Sequence, residues 1–231
     1  MFTWHENDNA AAAAQSLADA VAAALQSTLD EKGRAVLAVS GGRSPIAFFE
    51  ALSHKDLAWS NVGITLVDER IVPTVHPDSN TALVREYLLK NKASAARWIP
   101  MVEDGKPENR LPPQEVVGFA LQHYRQPDVL VLGMGGDGHT ASLFPQAPQL
   151  EAGIDLENDV TLLHTTPVTA PYERVSMTLG AILKTPHIFL AIQGADKKAV
   201  FDRAAATPTT EFPISLILNQ NGANCHVYYA K

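Results

Sequence analysis

The sequence predicts an α/β protein built on a doubly wound, mostly parallel β-sheet with helices on both faces. Two observations predict it. Short apolar runs alternate with amphipathic segments along the 231-residue chain. Most of these runs lack a polar face, as strands do when a sheet is covered on both sides. A third observation points to function: clusters of glycine or charge directly follow several runs, and open parallel sheets bind ligands at the carboxyl ends of their strands.

The elements follow in order. Residues 9–31 form an Ala-rich helix, with Leu17, Val21 and Leu25 at four-residue spacing and Gly33 as the stop. VLAVS (36–40), GITLV (63–67), DVLVLGMG (128–135), VTLLHTT (160–166) and HIFLAIQ (187–193) read as buried strands. Between them, PIAFFEAL (45–52), NTALVREYLLKN (80–91), PPQEVVGFALQHYR (112–125), RVSMTLGAILK (174–184) and DKKAVFDRAAA (196–206) read as helices. The tail ISLIL…CHVYY (214–229) adds one or two strands. Residues 101–113 are polar and Pro-rich, but the alternation continues on both sides, so they are expected as a surface loop within a single domain spanning 1–231.

Composition narrows the function. With 46% hydrophobic and 19% charged residues the chain can bury a substantial core. A net charge of -7 without a Lys/Arg cluster along the sequence argues against nucleic acid. The start MFTWHENDNA is acidic, and Gln15, Ser16 and Asp19 interrupt the Ala-rich run. Neither a signal peptide nor a membrane span is expected, and the cytoplasm is the default location. Cys225, the single cysteine, allows no internal disulfide or multi-cysteine metal site. His76 and Asp78 near Asp68 and Glu69 come closest to a metal cluster, and no functional metal is expected.

Four junctions carry candidate chemistry. In VLAVSGGRSP, Gly41 and Gly42 leave a strand, and Ser44-Pro45 suits a helix start. Such a turn lets backbone N–H groups approach an anion, although a plain tight turn accounts for it equally well, and the Walker pattern is absent. In GITLVDERIVP, Asp68, Glu69 and Arg70 follow a strand, where solvated charge is common but Arg suits phosphate or carboxylate. In DVLVLGMGGDGHTASLFP, Gly133, Gly135 and Gly138 spell G-x-G-x-x-G. A dinucleotide fingerprint needs a long helix after the third glycine, and Pro145 and Pro148 forbid it. What remains is a glycine-rich turn presenting Asp137 and His139, the latter suited to proton transfer near neutral pH. In FLAIQGADKKAV, Lys197 and Lys198 oppose the dipole of a helix start, which an anionic partner would relieve.

Together, SGGRSP, VDERIVP…HPDSN, LGMGGDGHTASLFP and GADK resemble the 6-phosphogluconolactonase family, related to the glucosamine-6-phosphate isomerase/deaminases, over the chain to about residue 218. The resemblance implies a modified Rossmann-type fold without a dinucleotide or other cofactor. It also implies hydrolysis of a small-molecule phosphosugar lactone, 6-phospho-D-glucono-1,5-lactone, in the pentose phosphate pathway. Phosphate ligands map onto Gly41 and Gly42 with Arg43 beside them, onto Arg70 and Lys197, and onto Arg174 in APYERVSM, where Tyr172 replaces a family proline. The C-terminal NQNGANCHVYYAK departs from the family pattern and inherits no role.

The isomerases share SGG, an Asp-Glu pair and D-G-H, but typically carry a glutamate where this chain has Phe144. An apolar ring cannot transfer a proton. A non-catalytic sugar-phosphate sensor is the alternative from another class. For the lactonase, His139 is expected as general base, Asp137 as its orienting carboxylate, Asp68 as a catalytic or sugar-binding group, and the Gly135 and Gly136 N–H groups as oxyanion donors. A monomer or weak homodimer is expected.

Overall fold

The computed structural model describes residues 2–107, 111–222 and 224–231. Part of the predicted surface loop, 108–110, lies outside the described residues. Seven parallel strands form the main sheet: β1 (Phe2–Asn7), β2 (Ala35–Val39), β3 (Val62–Leu66), β5 (Arg97–Trp98), β6 (Val129–Gly133), β9 (His187–Gln193) and β10 (Cys225–Ala230). Their spatial order is β1-β10-β9-β6-β2-β3-β5. A separate antiparallel sheet, ordered β4-β8-β7, is made by β4 (Asp68–Arg70), β7 (Leu162–Thr165) and β8 (Arg174–Met177).

Helices flank the main sheet: α1 (Ala10–Lys32), α2 (Ile46–Ser53), α3 (Asn80–Tyr87), α4 (Pro113–His123), α5 (Leu150–Ile154), α6 (Leu179–Leu183), α7 (Ala195–Ala206) and α8 (Ser215–Leu218). Val129, Leu130, Val131 and Leu132 are all buried, so both faces of central strand β6 are covered. The unbroken apolar run that predicted this strand has that cause. Helix α1 shows the expected punctuation: the Asn9 side chain accepts the Ala12 N–H at 2.9 Å, and Gly33, at φ +70°, closes it through an N–H bond to the Leu29 carbonyl. Among the described residues no helix is long and apolar enough to cross a membrane.

The structure corrects three expectations and adds one strand. VTLLHTT is β7 of the small sheet and not part of the parallel one. Residues 174–177 form β8 instead of a helix turn, and the helix begins only after Thr178, whose side chain accepts the Ala181 N–H at 3.2 Å. ISLIL contributes helix α8, leaving only β10 as a strand of the tail, because a short apolar run suits a buried helix as well as a strand. Polar FTWHEN, unassigned by periodicity, is the half-exposed edge strand β1, paired with β10.

Candidate active site

A cavity of about 490 Å³ opens where β2, β6 and β9 end, bounded by Gly41, Gly133 and Gln193 on that side and by β4 and β8 on the other. Its size suits a small ligand.

One wall is the turn after β6. The Gly135 N–H donates to the His139 carbonyl at 2.9 Å, and the Gly138 N–H donates to the Gly135 carbonyl at 3.1 Å. Thr140 Oγ1 fastens the far side by donating to the Gly133 carbonyl at 2.9 Å. A Cβ on Gly135 would fall 2.2 Å from two atoms of the His139 imidazole, so this glycine makes room for the ring. His139 Nδ1 lies 2.5 Å from Asp137 Oδ1, and the same oxygen accepts the His139 backbone N–H at 3.1 Å. Phe144 stacks on the imidazole at 4.1 Å between centroids.

With a carboxylate on Nδ1, the neutral ring carries its proton there and presents Nε2 as an acceptor. Nε2 has no partner among the described residues, and His139 lines the cavity. Burial opposes the charge of Asp137, but the hydrogen bond and charge of His139 outweigh it and hold the carboxyl below its ordinary range. The chain forms no helix between Gly138 and α5, which leaves a dinucleotide without the helix start it requires.

The opposite wall is the β4–β8 ladder, where Arg70 stands directly across from Arg174. Like charges facing each other across strands are destabilising unless something neutralises them. Arg174 is only 5% exposed, and its Nη2 donates to the Pro171 carbonyl at 2.8 Å; Arg70 Nη1 donates to the Asp78 carbonyl. The Nε groups of both arginines are buried with no partner among the described residues. Burial pulls the Arg174 pKa down, against the opposing charge of Asp68 and with the help of Arg70, yet a guanidinium stays charged. Tyr172, at φ +69°, donates its hydroxyl to Asp78 Oδ2 at 2.8 Å and lines the same space.

Lys197 reaches the cavity from the first turn of α7. Its neighbour Lys198 pairs with Asp202 at 2.7 Å, whereas Lys197 has no ion pair among the described residues, and burial lowers its pKa.

Asp68 and Glu69, adjacent in sequence, have different tasks. Asp68 lines the cavity, and its Oδ2 accepts from Ser142 Oγ at 2.6 Å, which ties the two walls together. Glu69 is fully buried and accepts the N–H groups of Asn80 at 2.8 Å and Thr81 at 2.7 Å, along with the hydroxyls of Ser79 and Thr81. Burial raises its pKa against these bonds. It therefore caps α3, where the dipole favours an anion.

The fold thus gathers Gly41, Gly42, Asp68, Arg70, Gly135, His139, Arg174 and Lys197 around one cavity, with Asp137 immediately behind the imidazole. The Gly135 N–H expected as an oxyanion donor is engaged within the turn, and Gly136 is exposed and outside the lining. Arg43 is also exposed and outside the lining. Sequence reasoning missed Asn80, which donates through Nδ2 to the Asp68 carbonyl at 2.9 Å and lines the cavity with its buried Oδ1 unpartnered. A Cβ on Gly41 would lie 1.9 Å from that Oδ1, so the first glycine of SGG accommodates a side chain. The visible signal was the Ser79 cap preceding it.

A parallel sheet whose strand ends hold a paired histidine opposite facing arginines defines a class of α/β proteins shaped for anionic small molecules. Residues 8–226 match the family described as glucosamine-6-phosphate isomerases/6-phosphogluconolactonase, and the chain belongs to that family. The 6-phosphogluconolactonase of Neisseria meningitidis serogroup B is 73% identical over 231 residues, all of both chains. A solved Neisseria gonorrhoeae structure, 72% identical, superposes over all of both chains with a TM-score of 0.99. A 6-phosphogluconolactonase structure from Shewanella baltica, 34% identical, covers 100% of this chain and 98% of its own with a TM-score of 0.92.

Proposed function

We propose that the chain hydrolyses 6-phospho-D-glucono-1,5-lactone to 6-phospho-D-gluconate, with His139 as general base on the attacking water. One observation carries the reading: the His139–Asp137 pair and the Arg70–Arg174 pair open onto the same cavity, so a proton acceptor and an anion cradle can engage two parts of one small molecule. The two 6-phosphogluconolactonases described above support it by their names.

In this mechanism Nε2 takes a proton from water as its oxygen bonds to the lactone carbonyl carbon. The tetrahedral adduct then collapses, the carbon–ring-oxygen bond breaks, and the imidazolium returns its proton to the ring oxygen. Asp137 orients the ring and stabilises its charged form. Arg70, Arg174 and Lys197, with the Gly41–Gly42 turn, hold the phosphate, and Asp68 accepts from a sugar hydroxyl. Phe144 excludes water from one face of the imidazole and supplies no second proton-transfer group. The reading includes a cytoplasmic, single-domain enzyme that works without metal or cofactor as a monomer or weak homodimer.

The test follows lactone hydrolysis, above the spontaneous rate, beside glucosamine 6-phosphate deamination by the same purified protein. Lactone turnover without deamination is expected. Deamination alone would establish the isomerase reading, and binding of 6-phosphogluconate without turnover of either substrate would establish a sensor.

A further inference from the structure

A second cavity, about 630 Å³, lies at the opposite end of the main sheet, where β2, β3, β5 and β6 begin. Lys32, Arg34, Arg97 and Arg125 line it against one acid, Asp128. Both oxygens of that acid are engaged: Oδ1 meets Lys32 Nζ at 2.7 Å, and Oδ2 accepts the Val36 N–H at 2.9 Å. Arg34 and Arg97 have neither an ion pair nor a side-chain hydrogen bond among the described residues. Arg125 donates only to the carbonyls of His123 and Tyr124, which leave its charge uncompensated.

The concentration is unexpected in a chain of net charge -7, and topology produces it. Arg34 directly precedes β2, Arg97 opens β5, and Arg125 comes shortly before β6. These strands lie in the order β6-β2-β3-β5, so the three cations spread across roughly 14 Å at the usual inter-strand spacing. Among them sits Trp98, whose Nε1–H is buried with no acceptor among the described residues.

We propose that this cavity is a second ligand site that takes a small anion bearing more than one phosphoryl group. Guanidinium forks match phosphate oxygens geometrically, and three uncompensated cations suit more than one anionic group. The site is separate from the proposed active cavity and does not depend on the reading of that cavity.

The experiment titrates the full ¹⁵N-labelled chain with inorganic pyrophosphate and follows the indole N–H resonances, with that of Trp98 identified by its loss in Trp98→Phe. A saturable shift of the Trp98 resonance is expected, with about tenfold weaker binding or more in Arg34→Ala/Arg97→Ala. That variant alters exposed side chains only, should keep the wild-type fold, and is expected to retain wild-type lactone turnover. The proposal fails if the Trp98 resonance stays fixed at millimolar pyrophosphate, if it moves equally in the double variant, or if potassium chloride at matched ionic strength moves it as far.

Discussion

The two walls of the active cavity are built by different means. The histidine wall is a single tight turn whose backbone hydrogen bonds and absent Gly135 side chain hold one ring in one orientation. The arginine wall is a cross-strand ladder that sets a buried cation, Arg174, opposite a half-buried one, Arg70, an arrangement that an anion between them would favour. Geometry is stored in the first wall and charge in the second. Under the proposed mechanism the histidine wall therefore governs turnover and the arginine wall governs affinity, with the Asp68–Ser142 bond joining them.

The sharpest way to break this division is His139→Ala. Loss of the general base should lower turnover by about a hundred- to ten-thousand-fold while circular dichroism and product affinity stay near wild type. Turnover close to wild type, measured above spontaneous hydrolysis, would remove His139 from the mechanism.

Arg70→Ala tests the other wall. Losing a charge-assisted contact should raise KM for the phosphorylated lactone by about tenfold or more, with a much smaller effect on unphosphorylated gluconolactone. Equal losses with the two substrates would make Arg70 a structural residue.

Asp137→Asn separates orientation from proton transfer. It should lower turnover by less than His139→Ala does. Because the folded-state pKa of Asp137 is depressed, its stabilising contribution is present above the unfolded carboxyl value near ~3.9 and is lost as pH falls through the folded value. Urea midpoints of wild type and Asp137→Asn should accordingly differ at neutral pH and converge in acid. A constant gap across that range would contradict the depressed pKa.

The smallest effect concerns Lys197. Burial lowers its pKa, so it discharges below the ordinary lysine value near ~10.4, and affinity for 6-phosphogluconate should begin to fall at correspondingly lower pH. Lys197→Gln should bind more weakly at neutral pH and lose that alkaline limb. An unchanged limb in the variant would assign it to another group.

Legibility in the sequence followed burial and length. Strands β2, β3, β6 and β9 announced themselves because covering both faces demands an unbroken apolar run. The small sheet was only partly legible: VTLLHTT read as a strand but of the wrong sheet, the three residues of β4 are too few to show a period, and Val175, Leu179 and Ile182 fall at spacings that suit one helix. At the site, His139, Arg70 and Lys197 could be singled out because each closely follows an apolar run, and the fold brings all three to one cavity. The hydrogen bond of the Gly135 N–H within its own turn was not legible, because its partner is set by the backbone angles of the turn, which composition does not carry. Residues 32, 34, 97 and 125 share a cavity only through strand order, so no local pattern marks them.

Glu69 has a consequence for motion. Its carboxylate accepts from the amide of Arg70 at 2.7 Å and from the first two amides of α3, so one buried group clasps strand and helix together. Neither can unzip alone without abandoning that carboxylate in an apolar interior. Strand β4 and the start of α3 are therefore expected to open as one cooperative unit, which amide exchange at Arg70, Asn80 and Thr81 with a common opening rate would show.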